Sequence, residues 1–129
     1  MKKIITLILF LLLLFSCKTF ESEYYVHISV VESPDIVFVE ANPVFRIPAH
    51  FETTKNVVFE CEYHLVPADN SIDIGSVEVH STEPEVITIL KIDDKNCRIT
   101  AKALKEGVSK IKIITQDYHS STSLYIEVK

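Results

Sequence analysis

The sequence predicts an all-β fold, a sandwich built from about seven short strands. Three observations carry this. Val, Ile, Thr, Tyr and Phe dominate the chain after Cys17, and these residues suit a pleated, half-buried surface. Apolar and polar residues alternate with period two over many short runs, each closed by a turn-forming cluster. No segment after Cys17 keeps a helical period for ten residues. With Gly at only 2 positions, Asn, Asp, Ser and Pro must make most of the turns.

The strands are read in order. Val26 to Val30 alternates and opens the domain; Ser33-Pro34-Asp35 turns the chain. Ile36 to Val39 is a second strand, and Val44 to Pro48 resumes in short form after Asn42-Pro43. Pro43 and Pro48 have no N–H for a ladder, so this region belongs at a sheet edge or in a linker. The clearest strand is Val57 to Val66, with Val57, Phe59, Cys61, Tyr63 and Leu65 on one face and Glu60, Glu62 and His64 on the other. Pro67 to Ser71 is a loop. Val77 and Val79 alternate with Glu78 and His80, and Val86 to Ile92 is an apolar strand closed by the turn Asp93-Asp94-Lys95-Asn96. Cys97, Ile99, Ala101 and Ala103 share a face. Ile111 and Ile113 are core positions, with Lys110 and Lys112 in solvent; Leu124, Ile126 and Val128 close the domain.

The first residues are set apart from the fold. Lys2 and Lys3 precede an apolar run from Ile4 to Phe15. Twelve helical residues span about 18 Å, short of a bilayer core of about 30 Å, so a signal peptide is favoured over a transmembrane helix. Leu14-Phe15-Ser16-Cys17 resembles the bacterial lipobox, in which a small residue precedes an obligatory cysteine. The resemblance implies cleavage after residue 16, diacylglycerol on the Cys17 thiol, and residues 17–25 as a lipidated tether. The domain proper is then 26–129. Lys18, where many inner-membrane lipoproteins carry aspartate, favours an outer-membrane or cell-surface address.

Loss of Lys2 and Lys3 with the leader moves the formal charge from −5 to −7. That balance argues against nucleic acid as a partner, which needs a cationic footprint. It equally argues against docking on anionic lipid by charge. Membrane attachment falls to the acyl chains, of which two or more hold well.

The stretches STEPEVITI, CRITAKALKEGVSKIKIITQD and SLYIEV resemble the later half of the bacterial Ig-like group 2 domain, the module of invasin- and intimin-type adhesins. Ser81, Val86, Ile89, Ile99, Thr100, Ala101, Gly107, Ile111, Ile113, Ile126 and Val128 fit its pattern. VVFECEYHLVPADN resembles its long second strand and the proline turn that follows. The resemblance covers roughly residues 35–129 and implies an immunoglobulin-like β-sandwich. It departs where a tryptophan is often found, near Val79, and where a glycine is usual, near Asn96 and Cys97.

No chemical site stands out. His27, His50, His64, His80 and His119 are scattered, and neither H-E-x-x-H nor C-x-x-C occurs. His64 and His80 sit on outward faces of different strands. Asp93, Asp94 and Asn96 offer oxygen ligands, yet they also make an ordinary turn. His119-Ser120-Ser121 is adjacent in sequence, whereas a catalytic triad is defined by geometry. Neither a metal nor a cofactor is expected, nor enzymatic turnover. Cys61 and Cys97 leave two readings open: a disulfide, or two free thiols packed as small hydrophobes. Parity puts both on inward faces, and an immunoglobulin-like topology would make their strands, the second and fifth, neighbours in one sheet.

The function expected is that of a lipid-anchored envelope protein whose single domain acts in binding, adhesion or structure, with an unidentified protein or glycan partner. The alternative is a ligand-binding or protease-inhibitor domain. Asn42-Pro43-Val44-Phe45 shares two residues with the Asn-Pro-Thr-Thr-Gly loop of one inhibitor family of immunoglobulin fold.

Overall fold

The computed structural model describes residues 24–120 and 123–129. Cys17, the signal peptide expected at 1–16 and most of the tether expected at 17–25 lie outside the described residues. Ten strands follow one another: β1 (Tyr25–Val30), β2 (Val37–Val39), β3 (His50–Thr53), β4 (Val58–Val66), β5 (Val77–Ser81), β6 (Ile87–Asp93), β7 (Arg98–Ala103), β8 (Gly107–Thr115), β9 (His119–Ser120) and β10 (Leu124–Val128). Among the described residues there is no helix, and so none long and apolar enough to cross a membrane.

The strands form two sheets, ordered β6-β7-β4-β1-β9 and β2-β3-β10-β8-β5. With the short β2, β3 and β9 set aside, the seven remaining strands have the order of an immunoglobulin constant-type sandwich: first, second, fifth and fourth in one sheet, third, sixth and seventh in the other. The count exceeds the expected seven because β2, β3 and β9 add short edge pairings. β3 runs parallel to β10, and β9 runs parallel to β1.

The period-two alternation places the core between the sheets. In β4, Phe59, Cys61, Tyr63 and Leu65 are buried, while Glu60, Glu62 and His64 face solvent. Large meets small across the β4–β7 ladder, where Phe59 stands opposite Ala101. β8 and β10 close the other side with Ile111, Ile113, Leu124, Ile126 and Val128. Each fully buried Ile or Val side chain contributes about 1.5–3 kcal/mol from water exclusion. Ser109 is a fully buried polar residue: its Oγ lies 2.7 Å from Ser81 Oγ and accepts from the Glu83 amide at 3.1 Å.

Several segments differ from the sequence reading. Residues 44–47 form no strand: Asn42 and Ile47 make an isolated bridge and the chain turns between them. β3, which begins two residues after Pro48, and β9 are strands that the sequence does not announce. Cys97 also departs from its expected inward register. It ends the Asp94–Cys97 turn with φ 55°, and is half-buried at the rim of the core.

Candidate functional site

Asn42 to Ile47 project as a hairpin tip. Its base is closed twice, by the Asn42 amide donating to the Ile47 carbonyl and the Ile47 amide to the Asn42 carbonyl, each at 2.8 Å. Inside it, the Arg46 amide donates to the Pro43 carbonyl at 3.3 Å and the Phe45 amide to Asn42 Oδ1 at 3.3 Å. The Asn-Pro pair explains the shape. Asn side chains bond the backbone ahead of them, and Pro43 presets φ for the turn. Arg46 closes it at φ 55°, a left-handed conformation that costs a non-glycine residue about 1–3 kcal/mol and tends to occur at ligand-contacting positions.

The tip holds apolar side chains in water: Val44 is 83% exposed and Phe45 74%. Ile47, Val37 and Phe38 extend the exposed apolar surface. Phe38 rests tilted against Phe51, ring centroids 5.3 Å apart. Beside it, Val30, Val31, Ile36, Phe38 and Phe51 line a shallow groove of about 350 Å³. β2 is the outermost strand of its sheet among the described residues, so the surface combines apolar side chains with a strand edge.

A polar cluster lies immediately after the tip. His50 is buried on the outer face of β3, its Nδ1 2.8 Å from the Pro48 carbonyl. Its Nε2 lies 3.2 Å from Glu52 Oε1 and 3.4 Å from Glu127 Oε2. Lys129 Nζ sits 2.9 Å from Glu52 Oε1, and the Tyr125 ring meets the imidazole edge-on at 6.0 Å. The Pro48 carbonyl raises the His50 pKa above its ordinary value; the two carboxylates add to it and burial opposes it. Lys129 and His50 together hold the Glu52 carboxyl below its usual range. The sequence reading passed over this cluster. Its signal was the alternation His50-Phe51-Glu52, which puts an imidazole and a carboxylate on one strand face.

Cys61 is buried and Cys97 half-buried, and both thiols are free. β4 and β7 are neighbours as expected, but Cys61 stands opposite Ile99. Burial pushes the Cys61 thiol up to about 12 and raises the Cys97 thiol as well. Tyr63, His64, Asp69, Asp94 and Cys97 border a groove of about 490 Å³. Thiols held above their ordinary value are poor nucleophiles at neutral pH, and burial raises the Tyr63 phenol too. Asp93 accepts from the Asn96 amide and Nδ2, and Asp94 from the Val77 amide; the turn itself uses these groups. His64 does not meet His80, which lies in the other sheet. It stands across from His27, ring centroids 5.4 Å apart. The side chains of His119 and Ser120, and Ser121 itself, lie outside the described residues.

The chain matches no protein-family model, no characterised protein and no solved structure.

Proposed function

We propose that this chain is a lipid-anchored protein of a bacterial cell envelope, tethered through Cys17, whose immunoglobulin-like domain binds a protein partner through the Asn42–Ile47 tip. The observation that carries the reading is the tip: Val44 and Phe45 stand in water on a loop braced by its own hydrogen bonds. Covering two such side chains returns about 1.5–3 kcal/mol each, and a braced loop loses little conformational freedom on binding. An apolar tip favours a protein over a glycan. The anchor rests on the lipobox resemblance, and the kinship with bacterial Ig-like group 2 modules on the motifs from Ser81 onward together with the strand order.

The alternative, a protease inhibitor, draws on the same tip, because a stiff projecting loop is suited to entering a cleft. A photo-cross-linking amino acid at position 45 tests the reading in the intact envelope. One specific cross-linked protein, absent when the same group is placed at exposed Glu78, is the expected result. A cross-linked protease whose activity falls selects the inhibitor reading. Equal labelling from both positions removes the tip from the function. Cys17→Ser tests the anchor separately: the variant should remain uncut and lose its lipid.

A further inference from the structure

We propose that His50, Glu52 and Glu127 form a binding site for a divalent transition-metal ion of the zinc class, on the outer face of the second sheet. The site is independent of the tip and of its partner.

The fold builds it in two steps. β3 and β10 run parallel, with Glu127 opposite Glu52. Since Phe51 and Ile126 point toward the core, alternation sends His50, Glu52 and Glu127 to the other face. The Pro48 carbonyl then fixes the imidazole. A carbonyl only accepts, so Nδ1 carries the hydrogen, and Nε2 is the atom turned toward the carboxylates. A backbone carbonyl on the far ring nitrogen is the usual support of a metal-bound histidine.

Nε2 and two carboxylate oxygens are all acceptors while the ring is neutral, and they face one another with Nε2 buried. A cation between them removes the repulsion. Ligands about 2.0–2.1 Å from a tetrahedral zinc lie about 3.3 Å from each other. Nε2 is 3.2 Å from Glu52 Oε1 and 3.4 Å from Glu127 Oε2, and all three ligand atoms lie within 4.8 Å of one another. Imidazole with carboxylates suits zinc among the divalent ions. Glu52 and Glu127 are 28% and 36% exposed, which leaves an open side for entry and for a fourth, solvent ligand. Lys129, exposed at 58%, holds Glu52 and can swing away as the ion enters.

The test uses the full chain, stripped with chelator and dialysed against zinc chloride near neutral pH. Bound zinc is measured by elemental mass spectrometry and the melting temperature by calorimetry. We expect one zinc per chain and a higher melting temperature. Glu52→Gln and Glu127→Gln, which keep side-chain volume, should each weaken binding at least about tenfold, and His50→Ala should abolish it. His80→Ala, on the same sheet, where His80 meets Glu78 and stands opposite Lys112, should bind as the wild type does. No retained zinc with an unchanged melting temperature overturns the proposal, since a proton on Nε2 would then fill the position alone. Undiminished binding in either glutamine variant overturns it as well.

Discussion

Cys61 stands directly across the β4–β7 ladder from Ile99, so Cys97 falls two places further along, where its carbonyl accepts from the Tyr63 amide at 3.1 Å. Diagonal neighbours on a sheet are about 7–8 Å apart, at or beyond the reach of a disulfide. The two thiols should therefore stay reduced even in an oxidising compartment. Alkylation of unfolded protein without reductant should label both. In the native protein only Cys97 should react, because the Cys61 thiol is fully buried and held up to about 12. Loss of labelling at both positions, restored by reductant, would establish a bridge and a different register.

Core and surface alternate along β8, and their mutational costs should too. Ile111 is fully buried, and Ile111→Ala should cost about 2–5 kcal/mol. Lys112→Ala, on the exposed face of the same strand, should stay within about 0.5 kcal/mol. Urea unfolding of both variants checks the contrast.

Gly107 begins β8 at φ 145°, and a Cβ built there would lie 2.9 Å from Val86 Cγ2. Gly107→Ala should destabilise by about 1–3 kcal/mol, through backbone strain and overpacking together. Val86→Ala removes that contact at its own cost as a core truncation, since Val86 is buried. A double-mutant cycle should thus show partial compensation, with a residue of backbone strain left over.

The core strands were legible because burial alternates with the pleat. Phe59, Tyr63, Ile99, Ile111 and Ile126 declare an inward face in the sequence alone, and the structure buries all of them. β3 was not legible. It is four residues long, its outward side chains His50 and Glu52 read as loop, and its partner β10 lies far downstream. The His50–Glu52–Glu127 cluster was hidden for the same reason, since a parallel pairing between distant segments leaves no local spacing to read. Val44 to Pro48 misled in the opposite sense. Its apolar residues resemble a strand, yet Asn42, Pro43 and Arg46 turn them outward.

Acid should weaken the β6–β7 turn. The Asn96 side chain and amide donate to Asp93 and hold its carboxyl below the usual range. A group whose pKa is lower in the folded state adds stability above its unfolded value, and loses it as pH falls through the folded one. The Asp93 contribution is therefore complete at neutral pH and fades below about pH 4. Asp93→Ala should flatten the acid limb of a stability–pH profile, its melting temperature converging on that of the wild type as pH falls. An unchanged acid limb would show that this turn contributes nothing.

The tip separates stability from recognition. Val44 and Phe45 touch little of the domain, so Val44→Asp and Phe45→Asp should leave unfolding free energy within about 0.5 kcal/mol of the wild type. Both should lose the partner, since a buried unpaired carboxylate is strongly unfavourable at an interface. Asn42→Ala acts differently. It keeps the apolar side chains but removes the Oδ1 acceptor of the Phe45 amide, so the loop must be ordered during binding. Its affinity should fall by about five- to tenfold, the equivalent of about 1 kcal/mol for a lost hydrogen bond. Binding measured by surface plasmon resonance against the cross-linked partner distinguishes the cases. Full retention in Phe45→Asp would place recognition elsewhere on the domain. Retention in Asn42→Ala alone would mean that the apolar side chains matter and the bracing does not.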